Sequence, residues 1–264
     1  MLKRARHIII QKGLKNGKLP SVMIQIIADL HCHTIASTHA YSTVLENITY
    51  AKKKGLRCIA ITDHASGITD APHFWHFANI DVIPRVVEDI VVLRGAEVNI
   101  LDNNGSIDLS EDTLRGLDWV NASFHVPTCA PRDVAYHTEA YLNIAKNPYV
   151  DVIAHSGTEC FAYDYEKGIK AFKEYGKIVE FNNASFRIRA GGRKNCIEIA
   201  KLCKKYEVPA VVNSDAHFAT SVGEFGLVLQ MLEEIDFPEK LILNADEERF
   251  FGYIKEKKNI DLSW

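Results

Sequence analysis

The sequence predicts a single α/β barrel built from seven βα units. Three observations carry that prediction. Apolar runs of strand length alternate with amphipathic stretches of helix length, the signature of parallel βα units. Run after run ends in histidine, glutamate or aspartate, as barrel strands do when their C-terminal ends carry chemistry. No linker, internal repeat or low-complexity tract divides the chain, and 264 residues suit one barrel.

The strands are expected at residues 23–29, 57–63, 91–97, 119–124, 150–155, 178–182 and 210–214. Helical periodicity fills the gaps near 44–54, 83–90, 139–146, 166–175, 195–206 and 221–234, with a closing helix at 246–257. Gly55, Gly176 and Pro209 stand where helix gives way to strand. Seven strands make a barrel one unit short of the usual eight.

At 47% hydrophobic and 25% charged, the composition is that of an ordinary soluble globular protein. No apolar stretch approaches the length of a membrane span, so a membrane partner is not expected. Residues 1–22 carry Lys3, Arg4, Arg6, Lys12, Lys15 and Lys18 with no acid, so removing them from the net charge of −3 leaves −9. This basic extension reads as a flexible arm outside the barrel of 23–264, and Met23 would serve as a natural start. Its apolar run, residues 8–10, is too short for a secretory signal. An acidic body argues against nucleic acid as the main partner. Six cysteines without Cys-x-x-Cys spacing suit reduced thiols in a cytoplasmic protein.

The first strand runs into Asp-Leu-His-Cys-His-Thr, residues 29–34. Side chains alternate along a strand, so His31 and His33 converge on one side while Cys32 faces the other. The later strands end at Asp63 and His64, Glu97, His125, His155, Asn182 with Asn183, and Asp215 with His217; His39 lies in the loop after the first. Singly, each has a plain structural reading: Asp63 could cap a helix, Glu97 could pair with Arg94 or Arg57, and His155 could be a satisfied core histidine. Jointly they do not. Seven of the eleven histidines fall at or just past strand ends, together with two acids. Imidazole with carboxylate suits zinc, manganese or iron, and so many donors fit two or three ions if a carboxylate bridges. With no thiolate among them, a catalytic site with open positions is the better account than a structural zinc knot.

The segments Asp-Leu-His-Cys-His-Thr, Ile-Thr-Asp-His, Arg-Gly-Ala-Glu, Ser-Phe-His, Ile-Ala-His-Ser and Asn-Ser-Asp-Ala-His resemble the PHP superfamily of metal-dependent phosphoesterases. Residues 36–43, 70–77, 180–183 and 223–225 resemble its YcdX-type bacterial phosphatase subgroup, and the likeness spans about residues 23–264 in order. The resemblance implies a distorted seven-stranded (βα)7 TIM-like barrel holding three zinc-type ions. By position, His31, His33, Glu97 and Asp215 would hold one ion. Glu97 would bridge to a second, completed by His125 and His155, and His39, His64 and His217 would hold the third. The Ser-Gly-Thr after His155 and the arginine-rich loop 187–193 depart from the family pattern and leave substrate preference open.

The expected chemistry is hydrolysis of a phosphomonoester by a metal-bound hydroxide, with Glu97, Asp215 and His217 at the reacting centre. Three divalent ions against two carboxylates leave a strongly positive site that would attract a phosphate dianion. Arg187 and Arg189 are expected to grip phosphate, with Arg193 in the same loop. His73, Trp75 and Asn182 are expected around the substrate, with His76 walling the pocket, and Asp63 is expected to accept the free N–H of a liganding imidazole. Competing readings are a histidinol phosphatase, a phosphodiesterase or nuclease, a metal-dependent amidohydrolase, and a non-catalytic metal-binding scaffold. The amidohydrolase reading lacks a lysine at a suitable strand end. Homo-oligomerisation stays open.

Overall fold

The structure, a computed structural model, describes residues 24–260. The basic segment 1–22 therefore lies outside the described residues, as does Met23. The strands are β1 (Ala28–Cys32), β2 (Cys58–Ile61), β3 (Val86–Val87), β4 (Ile90–Asn99), β5 (Trp119–Ser123), β6 (Val152–Ile153), β7 (Ile178–Asn182) and β8 (Ala210–Asn213). Among the described residues, seven of them pair in parallel and in chain order, β1-β2-β4-β5-β6-β7-β8, and β3 pairs antiparallel with β4. Around them lie α1 (Val44–Lys53), α2 (Trp75–Ala78), α3 (Glu111–Arg115), α4 (Val134–Ile144), α5 (Tyr165–Glu174), α6 (Ser185–Ile188), α7 (Gly192–Tyr206), α8 (Gly226–Glu234) and α9 (Glu247–Lys258). This is the predicted seven-stranded α/β barrel.

Two local expectations need correction. Residues 83–90 are not helical: Val86 and Val87 pair with Val91 and Ile90, across a turn at Glu88 and Asp89 with φ of 50° and 67°. β-Branched residues on both arms favour that ribbon over a helix. The first strand lies at 28–32 rather than 23–29, which places His31 inside the strand instead of beyond it.

Inside the barrel the side chains form layers. Ala28, Leu30, Cys58, Ala60, Val91, Leu93, Trp119, Val152, Ile178 and Val211 make an apolar floor, closed from below by Phe250 and Ile254 of α9. The alternate residues, among them Cys32, Ile59, Ile61, Val98, Val120, Val179 and Val212, pack outward against the helices. Strict alternation would send His31 outward, since Leu30 faces in. A bulge prevents this: Asp29 pairs with Ile59 but Cys32 pairs with Ile61, so β1 spends one residue more than β2 over the same span. The parity flips, and His31 follows Leu30 into the barrel.

The ring closes between β8 and β1 by side chains as much as by backbone. At the top, Cys32 bridges Ala216, with His33 N donating to Ala216 O at 2.8 Å. Asn213 Oδ1 accepts from Leu30 N at 3.0 Å, and the Asp29 carboxylate accepts from Ser214 N and Gly223 N at 3.0 and 2.9 Å. At the bottom, buried Asn244 donates to Ala28 O and Val212 O and accepts from Val212 N. Asn244→Ala strips partners from three buried backbone groups, so a loss of about 3–5 kcal/mol is expected in denaturant titration. A loss under about 1 kcal/mol would show that the seam does not depend on this amide.

Candidate metal centre

Above the apolar floor the barrel turns polar, and the strand ends deliver their donors to one point. Glu97, buried near the end of β4, is the hub. Its Oε2 lies 2.8 Å from His64 Nδ1, 3.3 Å from His31 Nε2 and 3.5 Å from His33 Nε2. Its Oε1 lies 2.7 Å from His155 Nε2 and 3.6 Å from His125 Nε2. Asp215, just past β8, brings Oδ1 to 3.3 Å from His33 Nε2 and 3.6 Å from His31 Nε2. Farther out, His39 Nε2 lies 3.3 Å from His64 Nε2 and 3.0 Å from His217 Nε2. All nine residues singled out in the sequence as donors thus meet at one mouth. His64 stands between two neighbourhoods, with Nδ1 toward Glu97 and Nε2 toward His39.

The backbone bends to make this possible. His155 has φ of 28° and Asp215 has φ of 59°, both in the left-handed region. Aspartate and histidine visit that region more than most residues, but a φ of 28° puts His155 off its centre, at a cost of about 1–3 kcal/mol. Glu180 holds it there, because Glu180 Oε2 accepts from His155 N at 2.8 Å.

Glu180 heads the site residues that the sequence did not single out, with Asp70 and Asn99. Its Oε1 sits 2.7 Å from His31 Nδ1 and 2.9 Å from Asn213 Nδ2. A carboxylate on Nδ1 fixes the ring and aims the Nε2 lone pair at the hub. The signal was a lone glutamate inside the buried strand Ile178–Asn182. Asp70 does the same for His39, at 2.5 Å from Nδ1. For His125 the partner is Asn99 Oδ1, at 2.8 Å from Nδ1. The Asn99 amide is itself oriented by Asp108, which accepts from Asn99 Nδ2 at 2.6 Å and from Asn99 N at 2.8 Å. Asn99→Leu should free the His125 ring and weaken metal retention about 10–100-fold in a chelator competition. Unchanged retention would mean that the ring is held by packing alone.

Asp63 plays a different part from the one expected. Its oxygens accept from Thr34 N, Thr34 Oγ1 and Ser37 Oγ at 2.7–2.8 Å, and His76 Nε2 lies 3.4 Å away. It pins the loop after β1, and Ser37 Oγ in turn accepts from His64 N at 3.0 Å. Arg94 donates to Ile83 O and Arg57 pairs with Glu247, so neither neutralises Glu97.

The donor set fits a cation. His31 Nε2, both ring nitrogens of His33, His64 Nδ1 and Glu97 Oε2 are buried without a hydrogen-bond partner. Buried polar atoms rarely go unpartnered, and here they face one another. Among the described residues, four overlapping groups have donor atoms mutually within 4.8 Å: His33, His64 and His217; His31, His155 and Asp215; His31, His33 and Glu97; His64, Glu97 and His125. Electrostatics agree. Burial, then the imidazoles of His64 and His217, hold His33 down at about 3, which keeps one ring lone pair free near neutrality. Burial opposes protonation of His31 too, but Glu180, Glu97 and Asp215 push it well above the usual imidazole range. Burial likewise opposes charge on Glu97, yet His31, His125 and His64 hold it well below the usual carboxylate range. Without a metal, protons must offset these carboxylates, a task that divalent ions do better.

The centre opens into a cavity of about 670 Å³, a size suited to a small molecule. His39, His64, His125, Asp215 and His217 line its floor, and Arg187 and Arg189 its wall. Arg189 Nη1 lies 3.0 Å from both Asp215 Oδ2 and Ser185 Oγ. Arg193 points elsewhere and pairs with Glu234. Three residues expected around the substrate do not line this cavity. Asn182 is buried and spent: its Nδ2 donates to Asp215 Oδ2 and Glu180 Oε2, and its Oδ1 accepts from Ser185. Trp75, 69% exposed, borders a separate shallow hollow with His76, and His73 packs against Phe74 and Trp75. Nothing in a loop's composition says which way it folds back, so these could not be placed from sequence.

A parallel barrel that gathers imidazoles and carboxylates at its C-terminal mouth defines the class of metal-binding barrel hydrolases. The sequence matches the PHP domain over residues 29–188 and the PHP-associated region over residues 196–258. The chain belongs to the PHP family. A probable phosphatase of Acetivibrio thermocellus is 47% identical over 235 residues, covering 89% of this chain and 98% of that protein. One from Clostridium novyi is 41% identical over 235 residues, covering 89% and 96%. A histidinol phosphate phosphatase of Lactococcus lactis, solved with zinc, L-histidinol and phosphate, shares the fold with a TM-score of 0.55 at 14% identity, over 83% of this chain and 93% of that one. The two matched regions are not two bodies: the second supplies β8, Asp215 and His217, which complete the barrel begun by the first.

Proposed function

We propose that the chain is a metal-dependent phosphatase that hydrolyses small phosphomonoesters at the barrel mouth. The observation that carries this reading is the cluster of buried, unpartnered donors around Glu97, open to a small-molecule cavity with arginines on its wall. The relatives named as probable phosphatases support the same reaction class. Three divalent ions, zinc first with manganese or iron as substitutes, are assigned to His31, His33, Glu97 and Asp215; to Glu97, His125 and His155; and to His39, His64 and His217. Bound ions would supply Lewis acidity, activation of water and charge stabilisation on phosphate oxygens.

The chain's own groups do the rest. Glu97 and Asp215, with His217, frame the reacting centre, and Glu180 holds His31 and His155 in position. Arg189 steadies Asp215, and Arg187 offers an exposed guanidinium for phosphate. In the overall reaction a water oxygen bonds to phosphorus, the ester P–O bond breaks, and the leaving alkoxide takes a proton from water. The cavity's size favours a small substrate over a polynucleotide. The barrel is assigned to residues 23–264 with 1–22 as an appended basic arm. A reducing, cytoplasmic setting suits the six cysteines, all free. No helix among the described residues is long and apolar enough to cross a membrane.

The test is steady-state hydrolysis by metal-reconstituted protein of p-nitrophenyl phosphate, sugar phosphates, nucleotides, histidinol phosphate and one diester. Monoester turnover should vanish on chelation and return with zinc or manganese. A diester preference would replace the reading with a phosphodiesterase. A marked preference for histidinol phosphate would narrow it to that substrate, and no turnover at full metal occupancy would favour a non-catalytic module.

A further inference from the structure

Around the polar floor stands a collar of a different character. Tyr41 is 72% exposed, Ile188 68% and Phe218 52%, and all three line the cavity together with Ile68 and Pro127. Large apolar side chains left this exposed at a cavity wall mark a surface that expects an apolar partner. The rim keeps the hydroxyls of Tyr41 and Ser221 for a polar ligand, but its carboxylates are already engaged. Asp70 is engaged by His39 and Glu224 by Lys54. Asn183 has its carbonyl oxygen taken by Leu227 N and Val228 N. Arg187 is the cavity-wall cation without a carboxylate partner among the described residues, since Arg189 is committed to Asp215.

From this arrangement we infer that the preferred substrate is a phosphomonoester with an apolar, flat body rather than a polyol or sugar. The body lies against Tyr41, Ile188 and Phe218 while the phosphate reaches the floor. The inference rests on the phosphatase reading above and names its substrate class. Burying one aromatic ring between such side chains gives discrimination of about tenfold or more over a body whose hydroxyls lose their water without new partners.

The experiment pairs ligands built on primary alcohols; glycerol is the more acidic of the two, so leaving-group ability works against the expected preference. For turnover, 2-phenylethyl phosphate is compared with glycerol 3-phosphate on metal-reconstituted protein. For binding, 3-phenylpropylphosphonate is compared with 3,4-dihydroxybutylphosphonate by calorimetry. Both the kcat/KM ratio and the Kd ratio should favour the aromatic ligand at least about tenfold. In the double variant Tyr41→Ala/Phe218→Ala both ratios should collapse to within about threefold. Trp75→Ala, outside the cavity, should leave both ratios as they are. Equal or reversed ratios in the unaltered protein overturn the inference while leaving the phosphatase reading intact, as does a ratio that survives the double variant. Tight aromatic phosphonate binding with hydrolysis of neither ester, and of no monoester in the panel above, would instead sink the phosphatase reading and keep the collar as an apolar-anion site.

Discussion

Glu97→Gln will strip the centre of metal and slow phosphomonoester turnover by about a thousandfold or more. The reason is the number of groups that converge on one carboxylate. Both oxygens face imidazoles, His64, His31 and His33 on one side and His155 and His125 on the other. Glutamine keeps the shape but removes the charge, and it turns one acceptor into a donor facing nitrogens that themselves need an acceptor or a cation. Metal content by elemental analysis should fall by at least one ion per chain, with far-ultraviolet circular dichroism unchanged. Full occupancy and full rate in this variant would rule out Glu97 as a bridge between ions.

Removing the metal will lower thermal stability on the order of 10 °C. A ligand bound at a thousand times its Kd stabilises a fold by about 4.1 kcal/mol, and each kcal/mol moves the midpoint of a chain of this size by about 2–4 °C. The effect should weaken as pH falls toward 5, because protons and metals compete for the same imidazole nitrogens. Chelation is therefore expected to shift the melting curve strongly at pH 8 and little at pH 5, and Glu97→Gln should lose most of the shift at either. An identical curve with and without chelator at pH 8 would show that the imidazole cluster holds no ion.

The parts of this molecule legible in the sequence are those written in local pattern. Strand ends carrying His64, His125 and His155 follow apolar runs that alternation alone identifies, and the convergence of His31 with His33 follows from their spacing. What escaped depends on parity and on distance. The bulge in β1 cannot be read from residues that favour extended structure with or without it. The turn at Glu88 and Asp89 lacks the asparagine–glycine pair that announces such a ribbon, so Val86, Val87 and Ile90 looked helical. Glu180 acquires its meaning only once β7 and β1 come to flank β8 in the closed ring. Asn182 reads as a ligand contact because it ends a strand, yet Glu180, Asp215, Ser185 and Arg189 consume its amide.

The seam between β8 and β1 has a consequence for how the protein is made. Synthesis runs from the N-terminus, so His31 and His33 leave the ribosome long before the segment that finishes their surroundings. The contacts that join Leu30 to Asn213 and Asp29 to Ser214 span 183 and 185 residues. Closing a loop of that length costs about 4–5 kcal/mol in chain entropy alone, so the ring shuts late, after the sequential strand pairs have formed. A nascent chain that has not yet delivered Ala210–Asn213 has the first two histidines in hand and no Asp215 to set against them. Assembly of the mouth is therefore a late event, and a premature stop before β8 yields a chain with most of the barrel's sequence and no finished centre.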